Sequence, residues 1–189
     1  MITAIIGIVL IGVVAVAPIM SDVETPNYEA VTAESNIEVR RYDPMIIAEV
    51  QMNGKREDAI GKGFRLLADY IFGNNMVKQD IAMTAPVQQQ QEGDAWQVSF
   101  VMPSEYSMDT LPKPLNGRVT LKKILAKKFV VITFSGTNSD RNVKEHEEKL
   151  VEYIQSNNLS ITGFPKYAFY NPPWALPPMR RNEVMIEIQ

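Results

Sequence analysis

Two stretches of this chain repeat their apolar residues with a helical period. From Glu57 to Phe72, Ile60, Phe64, Leu67 and Ile71 share one face, while Asp58, Lys62, Arg65 and Asp69 share the other. Gly73-Asn74 closes that helix. From Arg141 to Gln155, Val143, Leu150 and Ile154 form a second apolar stripe. Elsewhere the period is short or the run is apolar throughout, which predicts strands at Ile37–Tyr42, Met45–Met52, Ile81–Val87 and Trp96–Met102. The same signal recurs at Arg118–Leu125, Lys128–Phe134, Ile161–Tyr170 and Glu183–Ile188. Asp43-Pro44 reads as the turn of a hairpin between the first two strands. The polar run from Gln88 through Glu92, Gly93 and Asp94 reads as a loop, and Leu111-Pro112-Lys113-Pro114 as a rigid connector.

The order is β-β-α-β-β, a proline connector, then β-β-α-β-β. The repeat lies in the pattern and not in the wording. It predicts an α+β fold in which duplicated halves form a distorted eight-stranded antiparallel barrel flanked by two helices.

The leader is of another kind. No charged side chain precedes Asp22, and Ile2 to Met20 is almost wholly apolar, close to the length that spans a bilayer as a helix. A cleaved signal peptide competes with an anchor. No Lys or Arg marks its start, and the small-residue pattern Ala15-Val16-Ala17 is followed by Pro18, so an uncleaved N-terminal membrane anchor is the preferred reading. The first basic residue after it is Arg40, which favours a body outside the cytoplasm, membrane-anchored or exported. The expected division is residues 1–20 as anchor or signal, 21–35 as linker and 36–189 as the domain.

Composition narrows the chemistry. The chain has 189 residues, a net charge of −3 and no cysteine. Disulfides, thiolate nucleophiles and Cys-zinc sites are excluded, and the acidic balance (pI about 5.3) argues against nucleic-acid binding. His146 is the single histidine. Near the C-terminus, Asn171-Pro172-Pro173-Trp174 and Pro177-Pro178-Met179-Arg180-Arg181 make a stiff loop, because proline fixes φ and withholds a donor. Such a loop suits one wall of an apolar ligand cleft.

Several of these segments carry a resemblance. Asn36 to Tyr42, the strand Ile81-Ala82-Met83-Thr84-Ala85-Pro86-Val87, and Asn171 to Trp174 with Arg180 to Val184 are similar to segments of the SOUL family of haem-binding proteins. Phe100 to Pro103 and Leu111 to Pro114 add to the match, which spans roughly residues 24–188. The family's fold is a distorted eight-stranded barrel with two helices, in agreement with the pattern above. The resemblance implies haem or another porphyrin in a hydrophobic cleft beside the first helix, where Ile60, Phe64, Leu67 and Ala68 match cleft positions. Trp174 and Met179 are the expected opposite wall, and Lys62 and Arg180 the cations for the propionates. Each also has a plainer reading, as core packing, a barrel cap or a surface charge. The family shares no invariant axial histidine. His146, flanked by acids, is a weak axial ligand, and Tyr42, Met83, Tyr170 and Met179 are equally open.

A loosely bound haem suits a carrier or buffer without catalysis. The competing readings are a small-molecule hydrolase or effector-binding module, with Glu183 or Glu49 as carboxylate and Tyr170 as partner, and a scaffold that binds no ligand. Glu183 also has a structural reading, as the partner of Arg40 or Arg181. Gly61 and Gly63 are costly inside a helix, by about 1 kcal/mol each relative to alanine, which points to close packing or to the approach of a flat ligand.

Overall fold

The computed structural model describes residues 23–189. The apolar helix expected at residues 1–20, with its anchor or signal role, lies outside the described residues. Nine strands are present among the described residues: β1 (Tyr28–Glu34), β2 (Ile37–Tyr42), β3 (Met45–Asn53), β4 (Val87–Glu92), β5 (Ala95–Val101), β6 (Thr120–Ile124), β7 (Lys127–Phe134), β8 (Lys166–Phe169) and β9 (Asn182–Ile188). The helices are α1 (Arg56–Ile71) and α2 (Asp140–Ser156). All strand pairs are antiparallel in one curled sheet of order β1-β2-β7-β9-β8-β4-β5-β3-β6, a half-barrel carrying the two helices.

The duplicated order is present as β2-β3-α1-β4-β5 and β6-β7-α2-β8-β9. The halves exchange their first strands. β2 pairs with β7, and β6 pairs with β3, so the expected β2–β3 hairpin does not form. Asp43-Pro44 is instead a crossing between the two halves, and Leu125-Ala126 is its counterpart. A two-residue link permits a hairpin but does not require one. Here each strand buries its apolar face against the other half.

Three further expectations give way. Residues 28–34, read as linker, form β1, an edge strand paired to β2 through a turn in which Ser35 has φ of 55°. All seven of its residues are exposed, so it carries no burial pattern to read. Ile81–Val87 is not a strand of its own: only Val87 is in a ladder, as the first residue of β4. Its backbone is committed elsewhere: Ile81 N–H donates to Ile71 O at 2.7 Å and Ala85 N–H to Glu24 O at 2.9 Å. Pro86 has no donor to give. The polar run at Gln88–Gln91 is β4, not a loop. Gln89 is fully buried there because its amide donates to Arg56 O at 2.8 Å, so a polar side chain sits in a central strand without an orphaned group.

The two cores beneath the helices follow strand alternation. Ala48, Val50 and Met52 of β3 and Val98 and Phe100 of β5 meet Ala59, Leu67 and Ile71 of α1. Val130 and Ile132 of β7 and Val184 and Ile186 of β9 meet Val143, Leu150 and Ile154 of α2. The intervening residues Phe129, Val131 and Met185 point to the opposite face and cluster with Tyr42, Ala168 and Tyr170.

Candidate functional site

The proline-rich loop between β8 and β9 is stiff, as its sequence requires. Pro177–Met179 is a turn of 3₁₀ helix. Ala175 N–H donates to Pro172 O at 3.0 Å, Arg181 N–H to Asn171 Oδ1 at 2.6 Å, and Gly136 N–H to Pro177 O at 2.8 Å. Arg180 clamps the loop from within: its Nε donates to Ala175 O at 2.8 Å and its Nη2 to Pro173 O at 2.5 Å. On this fixed frame Trp174 is 83% exposed, Met179 69% and Leu176 66%. Large apolar side chains exposed on a hydrogen-bonded backbone make this loop a candidate binding surface, one whose ordering cost is already met by the fold.

The turn from Gly136 to Asp140 connects this loop to α1. Pro177 binds it at Gly136, while Arg56, at the start of α1, donates to Asn138 O and pairs with Asp140. Arg56 is buried, and its guanidinium lies 5.9 Å from the ring centroids of both Tyr167 and Phe169. On α1 the expected cleft residues divide by depth. Leu67 and Ala68 are buried in the core. Phe64 is half-buried with its ring edge-on to Phe100 at 5.4 Å, and Ile60 touches both cores. Lys62 is exposed and makes no ion pair among the described residues. Ile60 and Phe64 therefore retain outward-facing surface, and Leu67 and Ala68 retain almost none.

The possible axial ligands also differ in access. His146 stacks on Phe134 at 4.0 Å with rings 11° apart, and its Nδ1 lies 2.8 Å from Asn142 O. That contact makes Nδ1 the donor and leaves Nε2 as the free acceptor. Tyr42 is buried and accepts from Arg40, and Tyr170 donates to Glu183 at 2.8 Å. Met83 packs on the core under α1, whereas Met179 is open to solvent.

On the sheet face away from the helices sits a closed polar network. Glu183 is fully buried; its Oε1 accepts from Arg40 Nη1 at 2.9 Å and from Arg181 Nη2 at 2.7 Å, while its Oε2 accepts the Tyr170 hydroxyl. Arg40 also pairs with Glu38 at 2.5 Å and lies 4.4 Å over the Tyr28 ring. Burial works against the Arg40 charge, but Glu183 and Tyr42 outweigh it and hold the guanidinium protonated. Burial, then the Glu183 charge, pushes the Tyr42 phenol up to about 12 and that of Tyr170 well above its ordinary value. Glu49, the other carboxylate considered for catalysis, pairs with Lys122.

The sequence profile of the SOUL heme-binding proteins matches residues 23–187. The chain belongs to the SOUL heme-binding protein family. Human heme-binding protein 2 is 29% identical over 177 residues, 87% of this chain and 85% of that relative. Among solved structures, the C-terminal domain of EcmrR superposes with a TM-score of 0.65 at 9% identity, covering 86% of this chain and 98% of that one. A hydrolase from Listeria innocua gives 0.57 at 13% identity, over 84% of this chain and 94% of that one. At these identities the structural likenesses describe the fold alone.

Sequence reasoning passed over Arg56 and Leu176. An arginine in the first turn of a helix reads as solvated, and nothing local announces that Arg56 ties α1 to α2 and to the turn that holds the proline loop. Leu176 was legible in principle, as an apolar residue between the two proline pairs.

Proposed function

We propose that this SOUL-family protein binds haem or a related tetrapyrrole reversibly, as a carrier or buffer, and does not catalyse a reaction. The observation that carries this reading is the exposed set Trp174, Leu176 and Met179 on a backbone fixed by Arg180 and Gly136. A flat apolar ligand laid on them would remove their surface from water without ordering the loop. Each such side chain gains about 1.5–3 kcal/mol on full burial, so three supply at most roughly 4.5–9 kcal/mol before association costs. Association costs reduce this further, so these contacts alone hold a ligand weakly and exchangeably, and an axial bond or a propionate contact adds to them. Met179 is the exposed candidate for an axial bond and the partly buried His146 the other, through Nε2, while Lys62, without an ion pair among the described residues, is a cation for a propionate.

The absence of catalysis is supported by the state of Glu183. A hydrolytic carboxylate must be free to take or give a proton. Glu183 instead accepts from Arg40, Arg181 and Tyr170, the structural role its sequence allowed. Human heme-binding protein 2, by its name, points to the same ligand class. Delivery of the domain to a membrane or out of the cytoplasm by residues 1–20 belongs to the same proposal.

The test is a haemin titration of the full chain followed at the Soret band, beside a Trp174→Ser/Met179→Ser double variant and His146→Ala. A saturable one-to-one shift that weakens at least tenfold in the double variant is expected. Equal affinity in the double variant would move the site elsewhere. No shift beyond a protein-free blank would sink the haem reading. Loss of the Soret shift in His146→Ala alone would assign the axial bond to that residue.

A further inference from the structure

A second exposed apolar cluster lies where the described chain begins, and the tetrapyrrole proposal does not use it. Phe72, Met76 and Val77 are each 64% exposed, Leu115 is 57% and Met108 42%. Phe72 follows α1, and Met76 N–H donates to Lys113 O at 2.9 Å, while Asn75 bridges to Pro114. The 72–77 loop and the 108–115 connector therefore lie side by side. Lys78 directly follows the loop and Lys113 stands within the connector, both exposed and without an ion pair among the described residues.

The start of the chain is pinned to the same region. Glu24 bridges to Thr84, and its carboxylate accepts the Ser104 N–H at 2.8 Å. Tyr106, two residues further on, has its hydroxyl 3.0 Å from the Gln79 amide of the neighbouring loop. Glu24 is thus joined to the apolar cluster by a short series of contacts. Ahead of it only Ser21, Asp22 and Val23 separate it from the uncharged run Ile2–Met20. Extended chain covers at most about 3.3–3.6 Å per residue, so four steps from Met20 to Glu24 reach roughly 14 Å. As a helix at about 1.5 Å per residue, Ile2–Met20 is roughly 28 Å long, the thickness of a bilayer's hydrocarbon core.

Resting on the reading of residues 1–20 as an inserted anchor, we infer that this end of the domain docks on the same bilayer. Phe72, Met76, Val77 and Leu115 enter the headgroup boundary, and Lys78 and Lys113 meet lipid phosphates. The short tether holds Glu24 within about 14 Å of the membrane surface. The surface beside it has the makeup of an interfacial contact, large apolar groups with ammonium heads on flexible stems. No helix among the described residues is long and apolar enough to cross a membrane, so the body contributes a contact and not a helical span.

The chain has no cysteine, which makes single labels clean. An environment-sensitive fluorophore is placed on Val77→Cys, Leu115→Cys, Ser21→Cys and Asp94→Cys in the full chain, reconstituted with phosphatidylcholine–phosphatidylglycerol vesicles. Asp94 lies in the β4–β5 turn, at the far end of β5 from Ser104. Blue shifts and quenching by lipid-borne quenchers at positions 77, 115 and 21, with position 94 unchanged, are expected. Insertion at 21 with 77 and 115 as aqueous as 94 would overturn the docking and leave the anchor standing. An aqueous signal at 21 would overturn both, since the tether would be gone.

Discussion

Gly61 and Gly63 lie two residues apart in α1, and the structure assigns them opposite responses to one added methyl. A Cβ at Gly61 meets no heavy atom within 4 Å, so Gly61→Ala gains the helix propensity that glycine forfeits, about 0.8–1.0 kcal/mol. A Cβ at Gly63 would lie 2.7 Å from both Cβ and Cγ2 of Val98 and 3.1 Å from Cγ1. Carbon contacts rest near 3.5–4.0 Å, so α1 must lift from β5 by about 1 Å. Val98 is fully buried, and a clash at its Cβ has no rotamer escape. Overpacking of this kind costs about 1–3 kcal/mol against the same helix gain, leaving Gly63→Ala neutral to about 2 kcal/mol less stable. At roughly 2–4 °C per kcal/mol for a domain of this size, Gly61→Ala should melt about 2–4 °C higher and Gly63→Ala up to about 8 °C lower. Thermal unfolding by circular dichroism, with urea midpoints alongside, reads both. The double variant Gly63→Ala/Val98→Ala should show a favourable but partial coupling, since it removes the two Cγ contacts and leaves the Cβ contact at 2.7 Å. If Gly63→Ala were as stable as Gly61→Ala, the seating of α1 on Val98 would be wrong, and with it the position of Ile60 and Phe64 at the candidate site.

Two shorter tests address the opposite sheet face. Glu183→Gln should cost about 3–5 kcal/mol in urea unfolding, because Arg40 is left buried with only the half-exposed Glu38 as an anion; a loss under about 1 kcal/mol would deny the network its structural role. Burial, then the neighbouring Lys127 charge, holds the Lys166 ammonium below its ordinary value of 10.5, so the folded form binds fewer protons there and stability rises with pH between the folded and ordinary values. Lys166→Met should accordingly raise the melting temperature at neutral pH, by an amount that shrinks as pH approaches 10.5, and a gain independent of pH would refute the cause.

The duplicated order was legible because α1 and α2 have clear stripes and a proline connector separates the halves. Pairing was not. Asp43-Pro44 is as good a hairpin turn as any, and only the exchange of β2 and β6 between halves decides that it is a crossing. β4 defeated the pattern for a related reason. A row of glutamines reads as loop until Arg56, far away in sequence, supplies the acceptor and donors that let Gln89 be buried. Local signals report what a segment can bury alone. They are silent where a distant polar group changes what burial costs.

The same limit applies at the candidate site. The proline loop and Trp174 stand out because proline acts on the backbone at its own position. Arg180 does not stand out as a clamp. A cation beside an apolar wall suggests a propionate partner, and the sequence cannot show that two of its donors already hold Ala175 and Pro173. Its Nη1 has no partner among the described residues, so under the proposed function one side chain would both stiffen the wall and meet a propionate. Arg180→Lys separates these roles in principle, since lysine keeps the charge but lacks the fork that grips two carbonyls. A ligand held mainly by charge would tolerate that change, whereas one held by a rigid apolar surface would be released with the loop. With carbonyl contacts at 2.8 and 2.5 Å to lose, Arg180→Lys is expected to weaken haemin binding in the Soret titration, and unchanged affinity would refute the clamp's part in the proposed site.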